Sequence, residues 1–168
     1  MELVTELRKP VVAAINGSAA GGGFELALAC DLRVAVEQAR FSLPEAKRGM
    51  GAHFGSVVLP RLVPEAVALE MLYIGDPMTA QEALRWGLLN RLAPEGQALA
   101  VAQELATRIA GNAPLSVRRM KATARRSAGL PLAAALRLDE GPSPYTSEDR
   151  VEGFKAFVEK RKPQWKGR

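Results

Sequence analysis

The feature that most constrains this chain is a glycine run set between two apolar segments near its start. Pro10-Val-Val-Ala-Ala-Ile15 is short, apolar and rich in β-branched residues, and Asn16-Gly17 follows as a turn signal, so it is expected to form a buried strand. After Ser18-Ala-Ala come Gly21, Gly22 and Gly23, and then Phe24 to Asp31, whose Leu26, Ala27, Ala29 and Cys30 suit a buried helix. The order is strand, glycine loop, helix. Arg33 to Glu37 alternates as a second strand, and Phe41-Ser-Leu43 reads as a third, stopped by Pro44. A chain with this opening belongs to the α/β class.

From Pro64 onward the pattern turns helical. Pro64 suits a first-turn position and Gly75 the stop of a helix containing Ala66 to Tyr73. Thr79-Ala-Gln-Glu82 matches a capping box, in which hydroxyl and carboxylate satisfy free backbone donors at a helix start, and Gly87 can end that helix. Leu88 to Leu92 is expected as a short strand. Ala98 to Ala110 carries a stripe of Leu99, Ala102, Leu105, Ala106 and Ile109; helices are also expected over Pro114 to Ser127, over Pro131 to Glu140 and after Ser147. In the last, Val151, Phe154 and Phe157/Val158 form an apolar face, with Pro163 as the stop. The expected division is an α/β part over 1–93 and a helical part over 94–168, with Gly141-Pro-Ser-Pro144 irregular.

Composition narrows the function classes. With 48% hydrophobic and 24% charged residues in 168, wholesale disorder is excluded. The one cysteine, Cys30, lies in the apolar run FELALAC and points to a buried thiol in a reducing compartment, hence the cytoplasm. MELVTELRKP has neither a signal peptide's charge pattern nor an anchor's apolar run. A net charge of +5 would suit any polyanion. Arg118, Arg119, Lys121, Arg125 and Arg126 cluster on one helix face opposite Val117, Met120 and Ala124, which reads as a solvated face, so nucleic acid is not expected as a partner.

Three glycines ahead of a helix leave backbone N–H groups uncovered and let a ligand approach the main chain, while the helix dipole favours negative charge there. That is the physics of an oxyanion hole; a tight packing turn would need the same residues. The run lacks Gly-x-Gly-x-x-Gly spacing, and no Walker lysine follows. Glu25 stands in the first turn of that helix, where a carboxylate also simply complements the dipole. Glu45 follows the strand that Pro44 cuts. Together they supply what adding water to an activated double bond needs: one carboxylate to take a proton from water and one acid to deliver a proton to carbon. No metal-ligand set accompanies them. His53, the single histidine, reads as a loop residue, since no Gly-x-Ser-x-Gly is present.

The stretch from Lys9 to Asp31, its spacing to Phe-Ser-Leu-Pro-Glu45, and the runs Thr79-Ala-Gln-Glu-Ala, Trp86-Gly-Leu and Ser147-Glu-Asp-Arg through Arg161 resemble the enoyl-CoA hydratase/isomerase (crotonase) family. The resemblance implies an α/β crotonase ββα spiral followed by a helical oligomerisation region, and homotrimers or dimers of trimers. It implies an acyl-CoA thioester as substrate, with coenzyme A carried on the substrate and no separate cofactor. It also implies an oxyanion donor at Gly22 N–H, substrate contacts at Gly21 and Gly23, water activation by Glu25, proton delivery to C2 by Glu45, and phosphate contact at Lys160. Leu43-Pro-Glu-Ala-Lys47, Glu82-Ala-Leu-Arg-Trp-Gly87 and Trp165-Lys-Gly-Arg168 resemble a carnitinyl-CoA dehydratase subgroup; isomerisation and a catalytically silent CoA-binding fragment are the other readings. Two departures stand out. Family members usually carry more chain before the Lys-Pro strand, including a second oxyanion donor, so these 168 residues alone are expected to be weakly active. Arg48-Gly-Met-Gly-Ala-His53-Phe-Gly-Ser replaces the usual glycine-rich loop.

Overall fold

The computed structural model describes residues 1–168 as two units, one of residues 1–7 and 11–105, the other of residues 8–10 and 106–168. In the first unit a short helix α1 (Glu2–Thr5) precedes β1 (Val12–Ile15), β2 (Ala19–Ala20) and α2 (Gly22–Ala29). Then come β3 (Leu32–Val36), β4 (Arg40–Ser42), a 3-10 turn over Pro44–Arg48, α3 (His53–Val58) and α4 (Glu65–Ile74). β5 (Met78–Thr79), α5 (Ala80–Arg85), β6 (Arg91–Ala93) and α6 (Ala98–Ala110), which crosses into the second unit, complete it.

The strands sort into two three-stranded sheets, in the orders β1-β3-β6 and β2-β4-β5. β1 runs parallel to β3 with Val12 opposite Leu32, and β3 parallel to β6 with Val34 opposite Arg91. β2 runs parallel to β4, and β4 antiparallel to β5. In the first two turns the leading strand (β1, β3) lies in one sheet and the following strand (β2, β4) in the other, as the expected ββα spiral requires; the last pair reverses this, with β5 of the second sheet preceding α5 and β6 of the first.

The core surrounds α2. Phe24 and Leu28 are each 1% exposed and pack with Phe41, Leu43, Leu59 and Leu88; the Phe24 and Phe41 rings lie 5.3 Å apart, tilted by 46°, a favourable edge-leaning geometry. The C-terminal end of α2 is clamped by Arg33, a buried guanidinium on β3. Its Nη1 donates to the carbonyls of Ala27 and Cys30 and its Nε to that of Leu88, giving a cation to the negative end of the helix dipole. Asn90 Oδ1 accepts from the Arg33 N–H, and Asp31 Oδ2 accepts from Val11 N–H at the head of β1.

The boundaries differ from the expected ones for identifiable reasons. β4 ends at Ser42, whose carbonyl accepts the last cross-strand bond from Gly21 N–H, because Pro44 has no N–H to continue the ladder and starts the 3-10 turn. Leu88 and Leu89 are buried beneath α5 with their N–H groups on the Ala83 carbonyl, so the strand begins only at Arg91. β1 sits at a sheet edge with Ala14 exposed rather than fully buried. On α6 the inward residues are Ala98, Val101, Ala102 and Leu105, while Leu99 is 59% exposed. The capping box at Thr79 forms as expected, and Glu82, held by the Thr79 hydroxyl and N–H, has its carboxyl below the usual range.

The second unit contains the rest of α6, α7 (Pro114–Arg126), α8 (Leu132–Ala135) and α9 (Glu148–Val158). Here the expected polarity is reversed in part: Arg125 and Arg126 are exposed and Val117 is partly buried, as expected, but Arg119 and Met120 exchange sides. Met120 of α7 is 63% exposed, whereas Arg119 reaches Asp139 and the carbonyls of Glu140 and Gly141, Arg126 pairs with the buried Glu140, and Lys121 donates to the Lys9 carbonyl. Those bonds engage residues 139–141 outside any helix, and the helix expected over Pro131 to Glu140 is only four residues long. In α9 the aromatic face looks outward, with Phe154 and Phe157 exposed. Its inner side carries Asp149, Glu152, Gly153 and Ala156, covered by the chain end: Asp149 accepts from Lys166 and Gly167 N–H, and Trp165 lies on Gly153 while donating to the Gly111 carbonyl. Ser147 caps α9. No helix is long and apolar enough to cross a membrane.

Replacing the Arg33 guanidinium removes the buried donors that tie the end of α2 to the segment after α5. Arg33→Met is expected to lower unfolding free energy by at least about 2 kcal/mol; an unchanged urea midpoint would show that the clamp carries no net stability.

Candidate active site

The glycine run turns from β2 into α2. Gly21 is the N-cap, with φ 55° and ψ −130°, a region that residues with a Cβ rarely enter. Its N–H donates to Ser42 O and its carbonyl accepts from Glu25 N–H, so the turn is tied to the end of β4 and to the first turn of α2 at once. Gly22 and Gly23 occupy the first two helical positions and are exposed. The Gly22 N–H has no carbonyl one helical turn back and engages no other acceptor.

Glu25 lies two residues beyond Gly23, half-buried, with Oε1 accepting from Gly55 N–H at 2.8 Å. Glu45 stands in the first turn of the Pro44–Arg48 helix and folds back over the glycine turn: a Cβ on Gly21 would sit 3.0 Å from Glu45 Oε1. Its other oxygen, Oε2, is buried and has no hydrogen-bond partner. A buried acceptor without a donor is uncommon because desolvation is left uncompensated. The cradle behind Glu45 is glycine again. Gly75, the left-handed C-cap of α4, presses on the main chain at Leu43 and Pro44, where a Cβ would meet Pro44 Cα at 2.9 Å.

The structure therefore brings Gly21, Gly22, Glu25 and Glu45 together around the start of α2. Gly23 is beside them, but a Cβ there would meet nothing within 4 Å. Lys160 belongs to the other unit. It follows α9 in a left-handed conformation, φ 53°, unusual for a residue other than glycine. Its N–H donates to Phe157 O and that of Arg161 to Ala156 O. Arg161 binds Glu152 and Glu159, leaving the Lys160 ammonium without an ion-pair partner. Arg161 and the Gln164 N–H pull the Glu152 carboxyl down to about 2, so this contribution to stability is present above the usual carboxylate range and fades as pH falls toward 2.

His53, expected in a loop, is instead the exposed first residue of α3. No group of three His, Cys, Asp or Glu side chains is disposed to hold a metal ion. Two site residues were not visible in the sequence. Gly55 lies in a stretch with no motif of its own, and Gly75 signalled only a helix stop. Its second duty, packing against the strand end that launches Glu45, is set by tertiary contact.

Residues 1–168 match the enoyl-CoA hydratase/isomerase family. Carnitinyl-CoA dehydratase from Salmonella typhi is 45% identical over 172 residues, covering 98% of this chain. The chain spans 66% of that relative's length. Among solved structures, enoyl-CoA hydratase from Bacillus anthracis superposes with a TM-score of 0.94 at 40% identity, covering 99% of this chain and 66% of that one. Enoyl-CoA hydratase from Mycobacterium tuberculosis H37Rv gives 0.91 at 40% identity, covering 96% and 65%.

The glycines of the turn have different duties, and this is measurable. Gly21→Ala is expected to destabilise the protein by about 1–3 kcal/mol through backbone strain and the contact with Glu45. Gly23→Ala, in an open helical position, should be neutral or gain up to about 1 kcal/mol. Equal thermal shifts for the two variants would contradict the assignment.

Proposed function

Because the chain belongs to the enoyl-CoA hydratase/isomerase family, we propose that the protein is an enoyl-CoA hydratase, adding water across the 2,3 double bond of an enoyl-CoA thioester. The observation that carries this reading is the unpartnered, buried Oε2 of Glu45 beside a helix start that also bears Glu25. An enzyme that only binds a thioester has no use for a carboxylate oxygen desolvated at that cost, whereas one that passes a proton to carbon does.

In this reading the thioester carbonyl oxygen lies at the Gly22 N–H, where the partial charge of α2 supports the negative charge of the enolate. Glu25 takes a proton from water as its oxygen bonds to C3. The electron pair of the double bond moves toward the carbonyl, and protonation of C2 by Glu45 returns it, leaving a 3-hydroxyacyl thioester. In dehydration the roles reverse. Gly21 and Gly23 flank the bound carbonyl, and Lys160 meets phosphates of coenzyme A through its unpaired ammonium. A second reading, elimination of water from a carnitinyl-type thioester, is favoured by the 45% identity to carnitinyl-CoA dehydratase; it uses the same groups and differs in the acyl pocket.

We further propose residues 94–168 as a homo-oligomerisation region, in a trimer or dimer of trimers. The exposed Val151, Phe154 and Val158, between 63% and 73% accessible, supply apolar area of the kind subunit interfaces bury. A reducing cytoplasm suits the buried thiol of Cys30, which is in no disulfide, and fatty acid metabolism supplies enoyl thioesters.

At the full length of the gene product, Glu25→Gln and Glu45→Gln should each reduce crotonyl-CoA hydration by at least about a hundredfold. Near-normal turnover by either variant rejects the reaction assignment. Light scattering should give an oligomer that Phe154→Asp shifts toward smaller species; an unaltered mass would remove this face from the interface.

A further inference from the structure

The Glu25 carboxylate receives one hydrogen bond from the protein, and its donor lies 30 residues away, at Gly55 N–H. Gly55 is the third residue of α3, where a backbone N–H has no intrahelical acceptor. Ala52, the residue before that helix, has no side chain able to cap it. Glu25 therefore satisfies a donor that α3 itself leaves open. The surroundings are otherwise apolar and full. A Cβ built on Gly55 would meet Leu43 Cδ1 at 2.7 Å, Ala52 Cβ at 3.4 Å and Glu25 Oε1 at 3.4 Å, and Leu43 is itself fully buried. Leu43 thus walls the contact without offering Glu25 a second donor.

An N–H group only donates, so the oxygen facing Gly55 is fixed as an acceptor and Oε2 is the oxygen left to face water. From this geometry we propose that Gly55 is a positioning residue for the hydration reaction. Its N–H sets the rotation of the Glu25 carboxylate, and its missing side chain lets Leu43 and α3 approach closely enough for the bond to form. The proposal rests on the hydratase reading above. Any side chain at 55 must displace Leu43 or push the first turn of α3 away from Glu25, and misplacement of a reacting group by an ångström is worth about a hundredfold in rate.

The test is a coupling measurement on the full-length protein with crotonyl-CoA as probe. Gly55→Ala is expected to lower kcat about 10- to 100-fold with little change in KM, and Leu43→Val added to it should restore much of the loss by making room for the new methyl. In the Glu25→Gln background, Gly55→Ala should cost no further activity. A loss of the same factor in both backgrounds overturns the proposal, because Gly55 would then act independently of Glu25; so does a Gly55→Ala enzyme with normal kcat. If Gly55→Ala alone does not fold by circular dichroism, the Leu43→Val/Gly55→Ala pair, with and without Glu25→Gln, takes its place under the same criteria. Wild-type turnover by Glu25→Gln alone would instead sink the underlying hydratase reading.

Discussion

Everything at the candidate site depends on where helix α2 is held, and it is held from both ends by groups outside it. At its C-terminal end the Arg33 guanidinium gathers the carbonyls of Ala27, Cys30 and Leu88. A buried cation is expensive unless its donors are used, and here they are used on two carbonyls at the end of α2 and one after α5. The clamp therefore joins α2, the central strand β3 and the segment after α5. At the N-terminal end the Gly21 N–H sits on Ser42 O, which ties α2 to the end of β4. An eight-residue helix is too short to be stable by itself; these ties and the burial of Phe24 and Leu28 define it.

The two carboxylates inherit their positions from those ties. Glu25 is carried on α2. Glu45 is carried by the strand that Gly21 grips, because β4 ends at Ser42 and the chain passes through Leu43 and Pro44 into the turn bearing Glu45. Gly75 closes the back of this arrangement by allowing α4 to touch the main chain at Pro44. Left-handed glycines at 21 and 75 thus act on the same short segment from opposite sides, and a side chain at either would move Glu45 relative to α2.

Much of this was legible because it is local. Strand, glycine turn and helix follow from neighbouring residue types; so do the Thr79 capping box and the Gly75 stop. The helices of the second unit were harder for a physical reason. On α7 and α9 the pattern shows two faces of unlike polarity but does not say which one meets the rest of the unit. Arg119 and Lys121 have long apolar stems that bury well while the cationic tips find carbonyls and Asp139. With those tips facing inward, Met120 faces out. On α9 the same inversion follows from Asp149, whose carboxylate takes two N–H groups of the chain end, and from Gly153, whose bare backbone admits the Trp165 ring.

The hydrogen bond between Glu25 and Gly55 marks the limit of local reading most clearly. A helix cap is ordinarily sought in the residue just before the helix, and Ala52 offers nothing there. The acceptor comes from another helix, so its presence depends on tertiary packing rather than on any spacing along the chain. At the site one Glu25 oxygen is satisfied by that contact, while one Glu45 oxygen is buried and bare. In the hydratase proposed above, those unlike surroundings are what would set one carboxylate to take a proton and the other to give one. The Glu25 half of that difference comes from Gly55, set there by the packing of α3 against α2.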